Sequence, residues 1–232
     1  IDRSSLRSYF ADGTLAAAKR AFDLGQYDKA KALLARSPAS NPSRFLGALA
    51  TMRQGDFPAA ARAFESLASS YTSLSDRCFL LAGQAFEAAK DWSHAVAVYE
   101  QVSPWSRLQV QARLGLARSH RSQKNFASAR AAIDVFTQKS PPAWGNDLGA
   151  EVLLLTADLF AAETNREKER ETLLTIWARH PLSHEAQIAS GRLGKMNQVD
   201  VRFQIERAEA LIEAHRNEQG VSILEPLRNQ LK

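Results

Sequence analysis

One pattern recurs along the chain and constrains it more than any other feature. Gly55-Asp56-Phe57 is followed by Ala60 and then by Phe64. The same order begins at Gly25 with Tyr27, Ala30 and Leu34, and at Lys90 with Trp92, Ala95 and Tyr99. It begins again at Lys124 with Phe126, Ala129 and Ile133. The four starts, at 25, 55, 90 and 124, lie 30, 35 and 34 residues apart. A repeat of this length marks a chain built from one supersecondary unit used several times.

Each copy reads as two antiparallel helices around a tight bend. Gly at the bend closes a helix in the left-handed conformation without a Cβ penalty. Lys is less favourable in that conformation, but its charge suits the negative end of the helix dipole. The aromatic packs under the junction. Ala five residues after the bend lets the two helices approach closely, and the large residue four further on lies one turn along the same face. Composition agrees: Ala, Leu, Arg, Glu and Gln favour helix, and 45% of the 232 residues are apolar, enough for a core. With 11 Gly and 8 Pro, long disordered tracts are not expected. The fold class is therefore all-α, with hairpins stacked into a right-handed solenoid that has a concave face.

These residues resemble the tetratricopeptide repeat, whose period is 34 residues. Gly83 and Phe86 match its small and aromatic first-helix positions, and Pro42 and Pro141 match its terminal proline. The second copy carries Thr72 there instead. The resemblance covers about residues 11 to 142. It implies four hairpins over 1–142, with 143–232 continuing the same solenoid as a degenerate hairpin and C-terminal helices. In the fifth copy Ala157 and Phe160 fit, but Arg166 replaces the aromatic and Glu169 the Ala. Ser140 to Asp147 reads as a loop, with Asn146 as a helix cap. Beyond it, helices are expected over 150–163, 166–180, 183–194, 199–215 and 218–231, with Pro226 as a kink or a late start.

Nothing in the chain carries a catalytic, cofactor or metal signature. His180 and His184 have metal-ligand spacing, but Pro181 lies between them and no further ligand completes a site. Glu163, Glu167, Glu169 and Glu171 alternate with Arg166, Lys168 and Arg170, as on a solvated, charge-laced helix. Cys78, the single cysteine, sits in an apolar stretch and reads as a buried thiol. The net charge of +5 is dispersed, which argues against a nucleic-acid stripe. No apolar run is long enough to span a bilayer.

In tetratricopeptide solenoids the first helix of each hairpin lines the groove. Carried across, the resemblance assigns Phe45, Leu49, Met52 and Arg53 to it in copy two. It adds Arg77, Leu80, Gln84 and Glu87 in copy three, and Gln111, Leu114, Arg118 and Arg121 in copy four. Several Arg among them suit an acidic protein or peptide partner. The Asn and Lys of the family's chaperone-tail variant are absent: Leu80, Gln84, Leu114 and Arg118 stand at those positions.

A second resemblance lies in Ile176 to Ala186, Arg207 to Leu211 and His215 to Gln219, which look like the helical region of soluble lytic transglycosylases. Those bacterial periplasmic enzymes cleave peptidoglycan. Their catalytic Glu-Ser-x-Phe and Gly-Leu-Met-Gln motifs are missing. Glu65-Ser66-Leu67-Ala68 lacks the Phe and lies inside a repeat helix, so no catalytic role passes to Glu65. The expectation is a monomeric, non-catalytic scaffold in the periplasm or cell envelope. The alternative is the accessory helical domain of such an enzyme, acting on peptidoglycan.

Overall fold

The computed structural model describes residues 9–137, 145–194 and 199–230. Among the described residues there are thirteen α-helices and no strand. They fall into two compact units, Ile1–Lys124 and Asn125–Lys232.

In the first unit α1 (Gly13–Asp23), α2 (Tyr27–Ala35), α3 (Asn41–Arg53), α4 (Phe57–Ser70), α5 (Ser75–Ala88), α6 (Trp92–Tyr99) and α7 (Gln109–Ser122) pack each against the next. First helices also touch, α1 on α3 and α5 on α7. In the second unit α8 (Phe126–Thr137) packs on α9 (Gly145–Ala162), and α9 on α10 (Arg166–Arg179). There α10 also carries α11 (His184–Leu193) and α12 (Val201–Glu213), and α12 pairs with α13 (Asn217–Gln230).

The bend is the common part. Gly25 and Gly55 have φ of 73° and 86°, and Lys90 and Lys124 both have 60°. Two further bends share this geometry, Thr164 at 60° and His215 at 59°. Among the described residues, every non-glycine with positive φ is one of these bends. The hydrogen bonds are those of a Schellman closure. Lys90 N–H donates to Glu87 C=O and Asp91 N–H to Phe86 C=O, both at 2.9 Å. Gly25 with Gln26, Gly55 with Asp56, Thr164 with Asn165 and His215 with Arg216 make the same pair.

The residue after the bend then caps the next helix. Side-chain oxygens of Asp56, Asp91, Asn125 and Asn165 accept from the backbone N–H three residues on, at 3.2–3.3 Å. One short turn thus satisfies orphan carbonyls behind it and an orphan amide ahead.

Packing around the bend follows from residue size. Ala30, Ala60, Ala95 and Ala129, five residues after it, are all fully buried. Seven residues before each bend stands another small residue: Ala18, Ala48, Gly83, Ala117, Ala157 and Ala208, all buried. Small residues on both helices permit the close approach, and larger neighbours such as Phe64, Tyr99, Ile133 and Leu173 fill the layer beyond. The main core of the first unit gathers Phe64, Leu67, Leu80, Phe86, Val98 and Tyr99.

Some details differ from the sequence expectation. Pro42 lies in the first turn of α3 rather than closing the preceding copy; its missing N–H is one the helix start leaves unpaired anyway. Thr72–Leu74 forms a 3-10 turn. Helix α9 begins at Gly145, so Asn146 is inside its first turn and is no cap; the apolar run that follows extends the helix back over the polar residues. Residues 138–144, with Pro141 and most of that loop, lie outside the described residues. Pro226 is inside α13, near its C-terminal end. Cys78 is buried in the main core, and burial pushes its thiol up to about 11.

Candidate functional site

The first helices α3, α5 and α7 carry the groove residues expected from the sequence. Leu80 and Leu114 are buried in the core and offer no surface. Phe45 is half-buried with its ring edge-on to Phe64 and Tyr71, at 5.6 and 6.4 Å between centroids, and Leu49 and Met52 rest on the same core. Arg53, Arg77 and Gln111 are exposed, while Gln84, Glu87, Arg118 and Arg121 are half-buried.

The structure brings Glu87 of α5 and Arg118 of α7 together. Arg118 donates from Nε to one carboxylate oxygen at 3.0 Å and from Nη2 to the other at 2.9 Å. The Tyr99 hydroxyl of α6 donates to the same carboxylate. Burial, and next the adjacent Glu87 charge, hold the Tyr99 phenol far above its ordinary pKa, so it remains a donor. Tyr99 itself lies between two glycines. A Cβ built on Gly83 would come within 2.4 Å of its ring, and one on Gly115 within 2.3 Å. This lock is a rigid element of the surface. It also neutralises the Glu87 charge internally.

The second unit holds a different feature. An open cleft of about 370 Å³ lies among α10, α11 and α12, lined by Trp177, Pro181, Gln187, Ser190, Gly191 and Arg207, with Ala186 at its floor. The Arg207 guanidinium sits over the Trp177 indole, 4.4 Å from the ring centroid, and donates to the Trp177 carbonyl. Burial lowers its pKa from the ordinary arginine value. His180 closes α10, and Ser183 caps α11 by accepting from Ala186 N–H at 3.0 Å, which places His184 at that helix start. Among the described residues no three His, Cys, Asp or Glu side chains are grouped to hold a metal. No helix among them is long and apolar enough to cross a membrane.

The tetratricopeptide repeat family matches residues 45–106, which span α3 to α6. A tetratricopeptide repeat protein from Parabacteroides merdae ATCC 43184 superposes with a TM-score of 0.60, over 93% of this chain and 78% of that one, at 13% identity. The fold is a tetratricopeptide-like helical repeat. BtubC (BKLC) from P. vanneervenii aligns over 96% of this chain and 91% of that one, at 13% identity and a TM-score of 0.48. No curated protein matches the chain.

Sequence reasoning missed three things. The helix breaks expected at 163–166 and 215–218 carry the same left-handed bend as the other four, at Thr164 and His215, although they lack the aromatic that marks it. The cleft combines residues 30 positions apart, Trp177 and Arg207, which no short motif joins. Trp105 is 94% exposed on the α6–α7 connection, where Ser103 N–H is held by Asp76 of α5 at 3.1 Å. The Ser103-Pro104-Trp105-Ser106 turn composition was its available signal.

Proposed function

We propose that the chain is a non-catalytic interaction scaffold, monomeric, whose tetratricopeptide-like surface binds an acidic protein or peptide segment in the bacterial cell envelope. The observation that carries this reading is the first-helix face of the first unit. There Arg53 of α3 and Arg77 of α5 are exposed, and the Tyr99–Glu87–Arg118 lock ties α5, α6 and α7 together. A guanidinium on a preformed helix face pairs with carboxylates at the cost of ordering its own side chain, with no backbone to order. The reading predicts that immobilised chain captures a discrete protein from an envelope extract and that an Arg53→Glu, Arg77→Glu double variant loses it. Capture that is unchanged in the double variant contradicts the placement.

The accessory-domain alternative draws support from one observation. Two of the three stretches that resemble lytic transglycosylase helices, 176–186 and 207–211, meet at the Trp177–Arg207 stack. Retention of the chain on purified peptidoglycan sacculi, lost on Trp177→Ala, is the outcome that reading requires. A parent reading frame without a downstream Glu-Ser-x-Phe motif removes it.

A further inference from the structure

We propose that the cleft among α10, α11 and α12 receives a carboxylate of a peptide partner, presented to Arg207 beside the Trp177 ring. The inference rests on the interaction-scaffold reading and supplies it with a second contact point.

Among the described residues that line the cleft, Arg207 alone is charged. Its neighbours are paired internally. Arg179 holds Glu206 at 2.8 Å, and Arg192 reaches Asp158 at 2.6 Å and Glu169 at 2.7 Å. Arg202 lies 3.8 Å from Glu171. Arg207 has no carboxylate partner among the described residues. It gives one N–H to the Trp177 carbonyl, and the rest of its fork has no acceptor among the described residues. A half-buried guanidinium without a counter-charge is costly unless something supplies the charge. A carboxylate does so in the flat, two-pronged geometry that the guanidinium favours.

Shape narrows the occupant. The cleft volume of about 370 Å³ suits a side chain or a chain terminus and excludes a folded element. Stacking on the indole fixes the guanidinium plane, and Gln187 and Ser190 offer amide and hydroxyl groups at the rim. Gly191 leaves the mouth open: a Cβ there would meet nothing within 4 Å. Ala186 keeps the floor small.

The test follows the Trp177 indole N–H resonance in the isotope-labelled chain. The probes are N-acetyl-trialanine with a free carboxylate, its C-terminal amide, and inorganic phosphate. The free acid is expected to move the Trp177 resonance saturably. The amide should bind about tenfold more weakly or less, the size of one charge-assisted hydrogen-bond pair. Arg207→Gln should abolish the response. Gly191→Phe, which fills the mouth from an open helix position and leaves Arg207 in place, should abolish it with an unchanged melting temperature. Equal responses to acid and amide, an equal response to phosphate, or undiminished binding by Gly191→Phe would overturn the assignment. If Gly191→Phe captures the envelope partner as wild type does while the free acid moves nothing, the cleft assignment falls and the scaffold reading stands. Loss of capture in the Arg53→Glu, Arg77→Glu variant alone leaves the peptide response intact.

Discussion

The two units build the same bend, and one hairpin of the second, α9–α10, fills the space behind it differently. In the first unit the position five residues after Gly25, Gly55 and Lys90 is a fully buried Ala. In the second unit's α9–α10 hairpin that position is Glu169, whose side chain is only 12% exposed. Arg192 from α11 reaches in to meet it and also holds Asp158 of α9. The residue before three of the bends, at Gly55, Lys124 and Thr164, shows the same exchange. Gln54 donates to Asp28 at 2.6 Å and Gln123 to Ser93 at 3.1 Å, whereas Glu163 takes an ion pair from Arg130 at 2.6 Å. A backbone bend specified by hydrogen bonds tolerates either filling, because it makes no demand on what packs behind it. The apolar filling needs small residues and close approach. The ionic filling needs an additional arginine, here carried on an extra helix.

The largest expected effect lies in the apolar filling. Gly83→Ala places a methyl group against the Tyr99 ring, which the core above it cannot yield, and should cost about 3 kcal/mol or more. Gly191→Ala, in open space, should be neutral or stabilising by a few tenths of a kcal/mol. Urea unfolding read by residue-resolved amide exchange in each unit separates the two. Equal effects would remove the claim that the glycine is required by packing.

Next is the ionic filling. Arg192→Ala removes one ion-pair partner from Asp158 and one from Glu169, which keeps Arg166 at 2.8 Å, and should destabilise the second unit by about 1 kcal/mol, with the first unit unchanged. High salt should shrink that difference. A salt-independent loss would assign the arginine's role to the packing of its stem.

The units should also part company in acid. Hydrogen bonds from Arg192 hold the Glu169 carboxyl below its ordinary range, and those from Arg179 do the same for Glu206. A carboxylate whose folded pKa is depressed contributes fully above its unfolded value of about 4.3, and that contribution is lost as the pH falls through the folded value. Amide protection in the second unit should therefore fall first on acidification below about pH 4. The first unit has an exposed counterpart, Asp91 lowered by its His94 hydrogen bond, where solvent screening leaves little effect. Simultaneous loss in both units would deny the difference.

The smallest effects concern the bends. Lys90→Gly and Thr164→Gly relieve a side chain held at φ of 60°, and each should stabilise by about 1 kcal/mol, more at the β-branched Thr164. Gly55→Lys should cost a similar amount.

How far the fold was legible depends on which of these layers a residue reports. The bends at 25, 55, 90 and 124 could be found because an aromatic, an Ala and a large residue accompany them in register. At Thr164 an Arg and a Glu stand in their place, and the ionic solution to the same packing problem has no short spacing, since Arg192 lies 23 residues from Glu169. At His215 the aromatic is lost but the steric rule survives. Ala208 and Gly220 stand twelve residues apart, as do Ala18 and Ala30, Ala48 and Ala60, Gly83 and Ala95, and Ala117 and Ala129. A Cβ on Gly220 would meet Ile212 at 2.6 Å and the Ala208 carbonyl at 2.9 Å. That pair of small positions, rather than the aromatic, is the better signal. The groove was less legible than the fold. First-helix position does not tell Leu80 and Leu114, which are buried, from Arg53 and Arg77, which are exposed, and the Glu87–Arg118–Tyr99 lock depends on three helices at once.

The central claim is that one left-handed bend recurs six times among the described residues, twice without the sequence pattern that marks the others. Backbone chemical shifts and amide couplings at Thr164 and His215 in the labelled chain test it most directly. Positive φ at both, matching Lys90 and Lys124, is the predicted result. Right-handed helical values at either would make its hairpin something other than a copy of the first four.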